Sequence, residues 1–420
     1  MSSRKAFLKQ AALALFSIGA GGVPTFLARA AGSDKLLQPY KKNKVLVFIF
    51  QRGAMDGLMA VPPFTDQYLE AARPTLFMDA AKSTEEKSLI NLDGRFGLHP
   101  SMAAFENLFK EKQLAIVHGM GSPNNTRSHF DAQDYMESGT PFNKGTASGW
   151  LNRAVGLLGH DATPFRAVSM TSAMPRSFYG DNETIAINNL ADFAVQMKGN
   201  AAGANFSAKS FEDLYDQTSS SLLNKTGKES FDAVKILQQS NLKNYQPANG
   251  VIYPGSPLGK SLKQIAQLIK MDVGLEVAFA ESGGWDTHFN QGTANGVFAR
   301  NVADLSNSIA AFWKDVEQMQ DDIVIMTATE FGRTVKQNGT GGTDHGRASC
   351  AFVVGNNVNG GKVHGNVLSL APENLADGRD LAVTTDFRSM FCEVAAKHLN
   401  IHNNAVLFPG WKAESVGLMK

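Results

Sequence analysis

Cysteine is nearly missing from this chain: Cys350 and Cys392 are the only two in 420 residues. That scarcity excludes a disulfide scaffold, and because neither has His or Cys neighbours at ligand spacing it also excludes a cysteine-built metal site. The two could pair in an oxidising compartment, but two buried thiols packed as small hydrophobes is the preferred reading. Charge of one sign is missing as well. With 40 basic and 39 acidic residues the net charge is +1, which leaves no electrostatic footprint for nucleic acid or an anionic membrane and directs attention to small-molecule chemistry. Past the N-terminus no run approaches the ~18 uninterrupted apolar residues of a membrane helix, so no stable span is expected after processing. Repeats, heptads and low-complexity tracts are absent too.

What is present begins with an export signal over residues 1 to 31. Arg4, Lys5 and Lys9 precede a short apolar stretch, and Ala28-Arg29-Ala30 supplies a small-x-small cleavage pattern. Ser3 to Lys9 resembles the twin-arginine signal with Lys5 at the second arginine; an ordinary secretory signal is the alternative. The expected location is periplasmic or secreted, with the export machinery as a partner.

From residue 44 onward the chain reads as one α/β domain. Val45 to Phe50 is a continuous apolar run of the kind that forms a strand buried on both faces. Runs at 113 to 122, 321 to 332 and 350 to 358 follow the same plan. Helical patterns precede two of them, with Met102, Phe105, Leu108 and Phe109 on one and Val302, Leu305, Ile309, Phe312 and Val316 on the other. Alternation of this kind predicts a three-layer α/β/α sandwich with a mainly parallel sheet. A polar segment at about 195 to 255 reads as a helical insertion or lid.

In such sheets ligands sit beyond the carboxyl ends of the strands, and there the polar residues gather. Arg52 and Asp56 follow the first strand; Thr126, Ser128 and His129 follow the second. Asp286 and His288, two positions apart, point to one side of an extended backbone, as two ligands of one ion should. Glu330 and Arg333 end a further strand, and the glycine-rich GTGGTDHG carries Asp344 and His345. Each has a plainer alternative: a capped turn for Asp286 and His288, a helix N-cap for Ser128, a buried ion pair for Arg333.

Taken together, FQRGAMDGL, TRSHFDAQDYME, GWLNRA, FAESGGWDTHFNQG, TATEFGRTVKQNGTGGTDHG and VTTDFR resemble the DUF1501 family from about residue 44 to 412. These are exported bacterial proteins of unknown function, related to the alkaline phosphatase and sulfatase superfamily. The resemblance implies an alkaline-phosphatase-like fold and a divalent metal (zinc, manganese or calcium) held by Asp56, Asp286, His288, Glu330, Asp344 and His345. It implies Ser128 or Thr126 as nucleophile and Arg52 or Arg333 stabilising a transferring group. Gln51 stands where an acid would end the first strand, and Glu330-Phe331 stands where the superfamily has Asp-His. The expected function is metal-dependent hydrolysis of phosphate or sulfate esters of a small anionic or polymeric substrate. The alternative is a secreted binding or envelope-assembly protein that keeps the fold without catalysis.

Overall fold

The computed structural model describes residues 43–80, 88–159, 163–190 and 245–420. The expected export signal and most of the polar insertion lie outside the described residues. Eleven strands position the site: β1 Val45–Gln51, β2 Leu114–Gly121, β3 Ala167–Ser169, β4 Ile185–Ala186, β5 Val277–Ser282, β6 Ile323–Thr329, β7 Arg333–Gln337, β8 Thr343–His345, β9 Ser349–Val354, β10 Lys362–His364 and β11 Thr385–Asp386. The longer helices that accompany them are α1 Ala104–Lys110, α2 His129–Ser138, α3 Trp150–Leu157, α4 Pro257–Lys270, α5 Val297–Asp315 and α6 Phe387–His398.

The main sheet has the order β10-β2-β9-β6-β1-β5-β3-β4, with β11 also paired to β2. β1 lies parallel between β5 and β6, so all of its residues are buried and the strand is apolar throughout up to Gln51. Its side chains alternate between the two faces. Val45, Val47 and Ile49 pack with Phe105 of α1, Leu262 of α4 and Val302 of α5; Leu46, Phe48 and Phe50 pack with Trp150 of α3 and Phe391 of α6. Two helical layers therefore cover one sheet, as the alternation predicts.

One strand departs from the plan. β9, expected as another strand of the mainly parallel sheet, runs antiparallel to both β2 and β6. No helix precedes it: the chain leaves β6, makes the β7–β8 hairpin and returns directly, and an antiparallel strand needs no crossover helix. Cys350 on β9 and Cys392 on α6 are both buried and unpaired. Among the described residues, no helix is long and apolar enough to cross a membrane.

Candidate metal centre at the carboxyl edge of the sheet

Four chain segments meet beyond the carboxyl ends of β1, β2, β5 and β6. The loop after β1 turns sharply at Gly53 (φ +116°) and Ala54 (φ 64°). A Cβ at Gly53 would stand 2.7 Å from the backbone nitrogen of Asp286, so only glycine lets this loop lie against the one after β5. Ala54 is held in the left-handed region, which costs an ordinary residue on the order of 1 kcal/mol and marks a position the surrounding structure over-determines. The GTGGTDHG stretch closes the β7–β8 hairpin, with His345 opposite Arg333. Its tip docks on the β5 loop through Thr343 N to Thr287 O (3.2 Å) and Gln291 N to Gly341 O (2.9 Å). A side chain at Gly342 would strike the His288 carbonyl at 2.4 Å. The glycines are thus a docking surface for backbone rather than slack in a turn.

This packing brings His129 and His288 each against His345. His129 Nε2 and His288 Nε2 lie 3.0 and 2.9 Å from His345 Nε2. Asp286 joins them, with Oδ1 3.0 Å from His288 Nε2 and 3.2 Å from His345 Nε2, and Oδ2 3.4 Å from His129 Nε2. The side chains are between 23% and 45% exposed, so the cluster is open to solvent.

The opposite ring nitrogens show why the Nε2 atoms matter. His129 Nδ1 is 2.8 Å from Glu330 Oε1, His288 Nδ1 is 2.9 Å from Asp344 Oδ1, and His345 Nδ1 is 2.9 Å from the Arg127 carbonyl. A carbonyl only accepts, and so does an ionised carboxylate, so each Nδ1 carries a proton, and in the neutral ring each Nε2 presents a lone pair. The Nε2 atoms of His129 and His288 thus each oppose that of His345, an arrangement a cation relieves; Arg333 Nη1, 3.4 Å from His288 Nε2, supplies positive charge on that side only. Ligand atoms of His129, Asp286 and His345 all lie within 4.8 Å of one another, a span one ion can bridge, and His288 adjoins this trio through His345 and Asp286.

The outer partners are themselves fixed. Glu330 is fully buried; its Oε1 accepts from Gly53 N (2.9 Å) and Gln133 Nε2 (2.8 Å) besides His129, and its Oε2 accepts from Thr329 Oγ1 (2.9 Å). Burial opposes ionisation, but the bonds from His129, Gln133 and Gly53 outweigh it and hold the carboxyl below its ordinary pKa. The Glu330 bond in turn raises the pKa of His129 against the effect of burial. Burial lowers that of His345. Asp286 is held low because Arg333 and His288 outweigh the cost of burial. Asp344 is held low by bonds from Asn338 and His288.

Several expected ligands have other partners. Asp56 is 1% exposed and binds Arg73 through both oxygens (2.8 and 3.1 Å), with Gln291 Nε2 at 2.9 Å; it is a closed ion pair rather than a member of the cluster. Glu330 and Asp344 stand behind the histidines and orient them. Arg333, whose guanidinium is fully enclosed, donates to Asp286 Oδ1 (2.7 Å) and the Trp285 carbonyl (3.2 Å), which is the buried ion pair and leaves it no face toward substrate. Arg52 is likewise committed, to Glu281 (2.6 Å) and Glu137 (2.9 Å). Ser128 occupies the N-cap position of α2 without a side-chain capping bond, and Thr126 Oγ1 accepts from the Ser128 amide (3.2 Å). Neither hydroxyl is bonded to a histidine or carboxylate among the described residues. His129 was legible only as one of three histidines at this edge. Its Nε2 becomes a donor through Glu330, a contact across 201 positions that spacing cannot reveal.

Residues 43–407 match the model of the family described as "Protein of unknown function (DUF1501)". The chain belongs to the DUF1501 family. No curated protein matches it in sequence. Among solved structures it resembles the C-terminal periplasmic domain of EcEptC from Escherichia coli, in complex with Zn, at 8% identity and a TM-score of 0.35; the match covers 75% of this chain and 73% of that one. A likeness this distant carries no weight for activity, which must be argued from the site itself.

Proposed function

We propose that this DUF1501 protein is a metal-dependent, hydrolase-like protein acting on phosphate or sulfate esters, with one divalent ion held by His129, Asp286, His288 and His345. The observation that carries the reading is the gathering of His129, Asp286 and His345 with His288 adjoining them, each imidazole oriented by an acceptor on its other nitrogen. Carboxylate–histidine pairs of this kind fix the tautomer and raise ligand basicity. Three imidazoles with one carboxylate suit zinc or another late first-row ion; calcium takes six to eight oxygens. A second ion lacks ligands, since Gln51 is neutral and Asp56 is committed to Arg73.

When bound, such an ion supplies Lewis acidity toward an ester oxygen. The chain's own residues do the rest. Glu330, Asp344 and the Arg127 carbonyl hold the imidazoles in place, and Arg333 anchors Asp286 from beneath. Arg127, Arg347 and Arg379 lie beside His345 among three carboxylates, Asp344, Asp377 and Asp380, so the rim itself is balanced and the attraction for an anionic substrate falls to the bound ion. That neither the Thr126 nor the Ser128 hydroxyl is bonded to a general base supports a second reading, in which the site binds an anion without turning it over.

The test is metal content and turnover of aryl phosphate and aryl sulfate on the purified chain. The proposal expects bound metal and ester cleavage that His345→Ala abolishes. Metal without cleavage selects the binding role, and neither metal nor cleavage with ions supplied rejects both.

A further inference from the structure

Next to the metal centre, beyond the carboxyl ends of β1, β5 and β3, opens a cleft of about 700 Å³, within the range of ligand sites. Arg52, Gln133 and Glu281 form one side of it and α4 the other. On α4 the lining positions are Pro257, Lys260, Ser261 and Gln264, the spacing of one helical face. Met170 to Arg176 and Asn188 complete the wall.

The chemistry of that lining narrows the ligand. Ligand pockets are mostly apolar; this one is dominated by hydroxyls, amides and charges. Its two guanidinium groups are already engaged, Arg52 with Glu281 and Glu137, Arg176 with Asp134 (2.8 Å), so the cleft is not a strong anion trap. The groups left over are of mixed kind. Among the described residues, Lys260 has no carboxylate partner, the hydroxyls of Ser172 and Ser261 and the amide of Asn188 make no bond, and one oxygen of Glu281 is unengaged. A set holding donors, acceptors and groups that serve as either matches neighbouring hydroxyls, each of which both donates and accepts.

The cleft is also tied to the metal centre. Gln133 accepts from Arg52 Nη1 (2.9 Å) on the cleft wall and donates to Glu330 Oε1 (2.8 Å), the carboxylate that orients His129. We propose that this cleft binds a carbohydrate: the glycan part of a substrate whose esterified position reaches the metal centre. The glycan assignment stands on the cleft; its link to ester cleavage rests on the hydrolase reading.

The experiment presents the full chain to an array of neutral, phosphorylated and sulfated oligosaccharides, then titrates the retained glycan by calorimetry. Wild type and His345→Ala are expected to bind the same glycan, and the double substitution Lys260→Ala with Ser261→Ala to weaken it at least tenfold while melting at the wild-type temperature. Both positions are accessible on α4, and Ser261→Leu, which fills the cleft instead of emptying it, is a second variant with the same expected loss. No retained glycan, or affinity unchanged in both variants, overturns the assignment. Failure of the metal centre shows separately, as wild-type protein that binds glycan but holds no metal.

Discussion

Six of the protein's nine histidines form two sets that use opposite nitrogens. His99, His118 and His398 are buried, and each directs Nε2 to a backbone carbonyl, of Thr293, Val61 and Val45, at 3.0, 2.9 and 2.9 Å. In His99 and His118 the Nδ1 also accepts a backbone N–H, so both nitrogens are consumed. Burial lowers the pKa of all three to about 4 and keeps them neutral. His129, His288 and His345 instead spend Nδ1 on an acceptor and turn Nε2 into the cluster around Asp286. A buried histidine bonded to backbone is structure; one tied at Nδ1 and turned by Nε2 toward a carboxylate and other imidazoles is, on the proposed reading, a metal ligand.

That contrast can be broken experimentally. The largest effect is expected from His345→Ala, which should reduce bound metal from one equivalent to essentially none with the fold kept, whereas His118→Ala should keep the metal and lose stability. Metal analysis beside a denaturant titration checks both, and equal metal loss in the two variants would erase the distinction.

The aspartates provide a parallel pair. Asp56→Ala leaves Arg73 charged at 1% exposure and should cost about 3–5 kcal/mol in urea unfolding while metal remains bound. Asp286→Ala should do the reverse, lowering metal affinity more than stability.

Acid should act on the buried set. Their folded pKa lies below the unfolded value of 6.5, so the unfolded chain binds more protons between the two. The stability these residues contribute is therefore complete above pH 6.5 and lost as the pH falls toward 4, on the order of 3 kcal/mol for each histidine. Replacing His398 by Gln should flatten that part of the pH–stability curve; an unaltered slope would show that His398 is not titrating there.

The smallest effect is expected at the orienting carboxylate. Glu330→Gln preserves shape but weakens the hold on His129 and should lower metal affinity about 10- to 100-fold, some 1.4–2.7 kcal/mol. Competition with a chelator measures it.

Much of the fold was legible because it depends on local pattern. The run from Val45 to Phe50 reads as a doubly buried strand, and the periodicity of Val302, Leu305, Ile309 and Phe312 reads as α5. The edge carrying the site was legible too, since a parallel sheet dictates where loops collect. The direction of β9 was not, because an apolar strand reads alike in both directions. Nor were the roles within the site. Whether Asp56 meets a metal or Arg73, and whether Glu330 touches an ion or stands behind His129, depends on contacts made only when distant loops meet. Residue type predicted the edge; hydrogen-bond partners decide which members of it are ligands.

The central claim is tested most directly by elemental analysis of the native chain, purified without chelator and compared with its His129→Ala, His288→Ala and His345→Ala variants. The account predicts one equivalent of zinc or another late first-row ion per wild-type chain and a tenth of that or less in each variant. Folded wild-type protein with no bound metal after ions are supplied at neutral pH would contradict it.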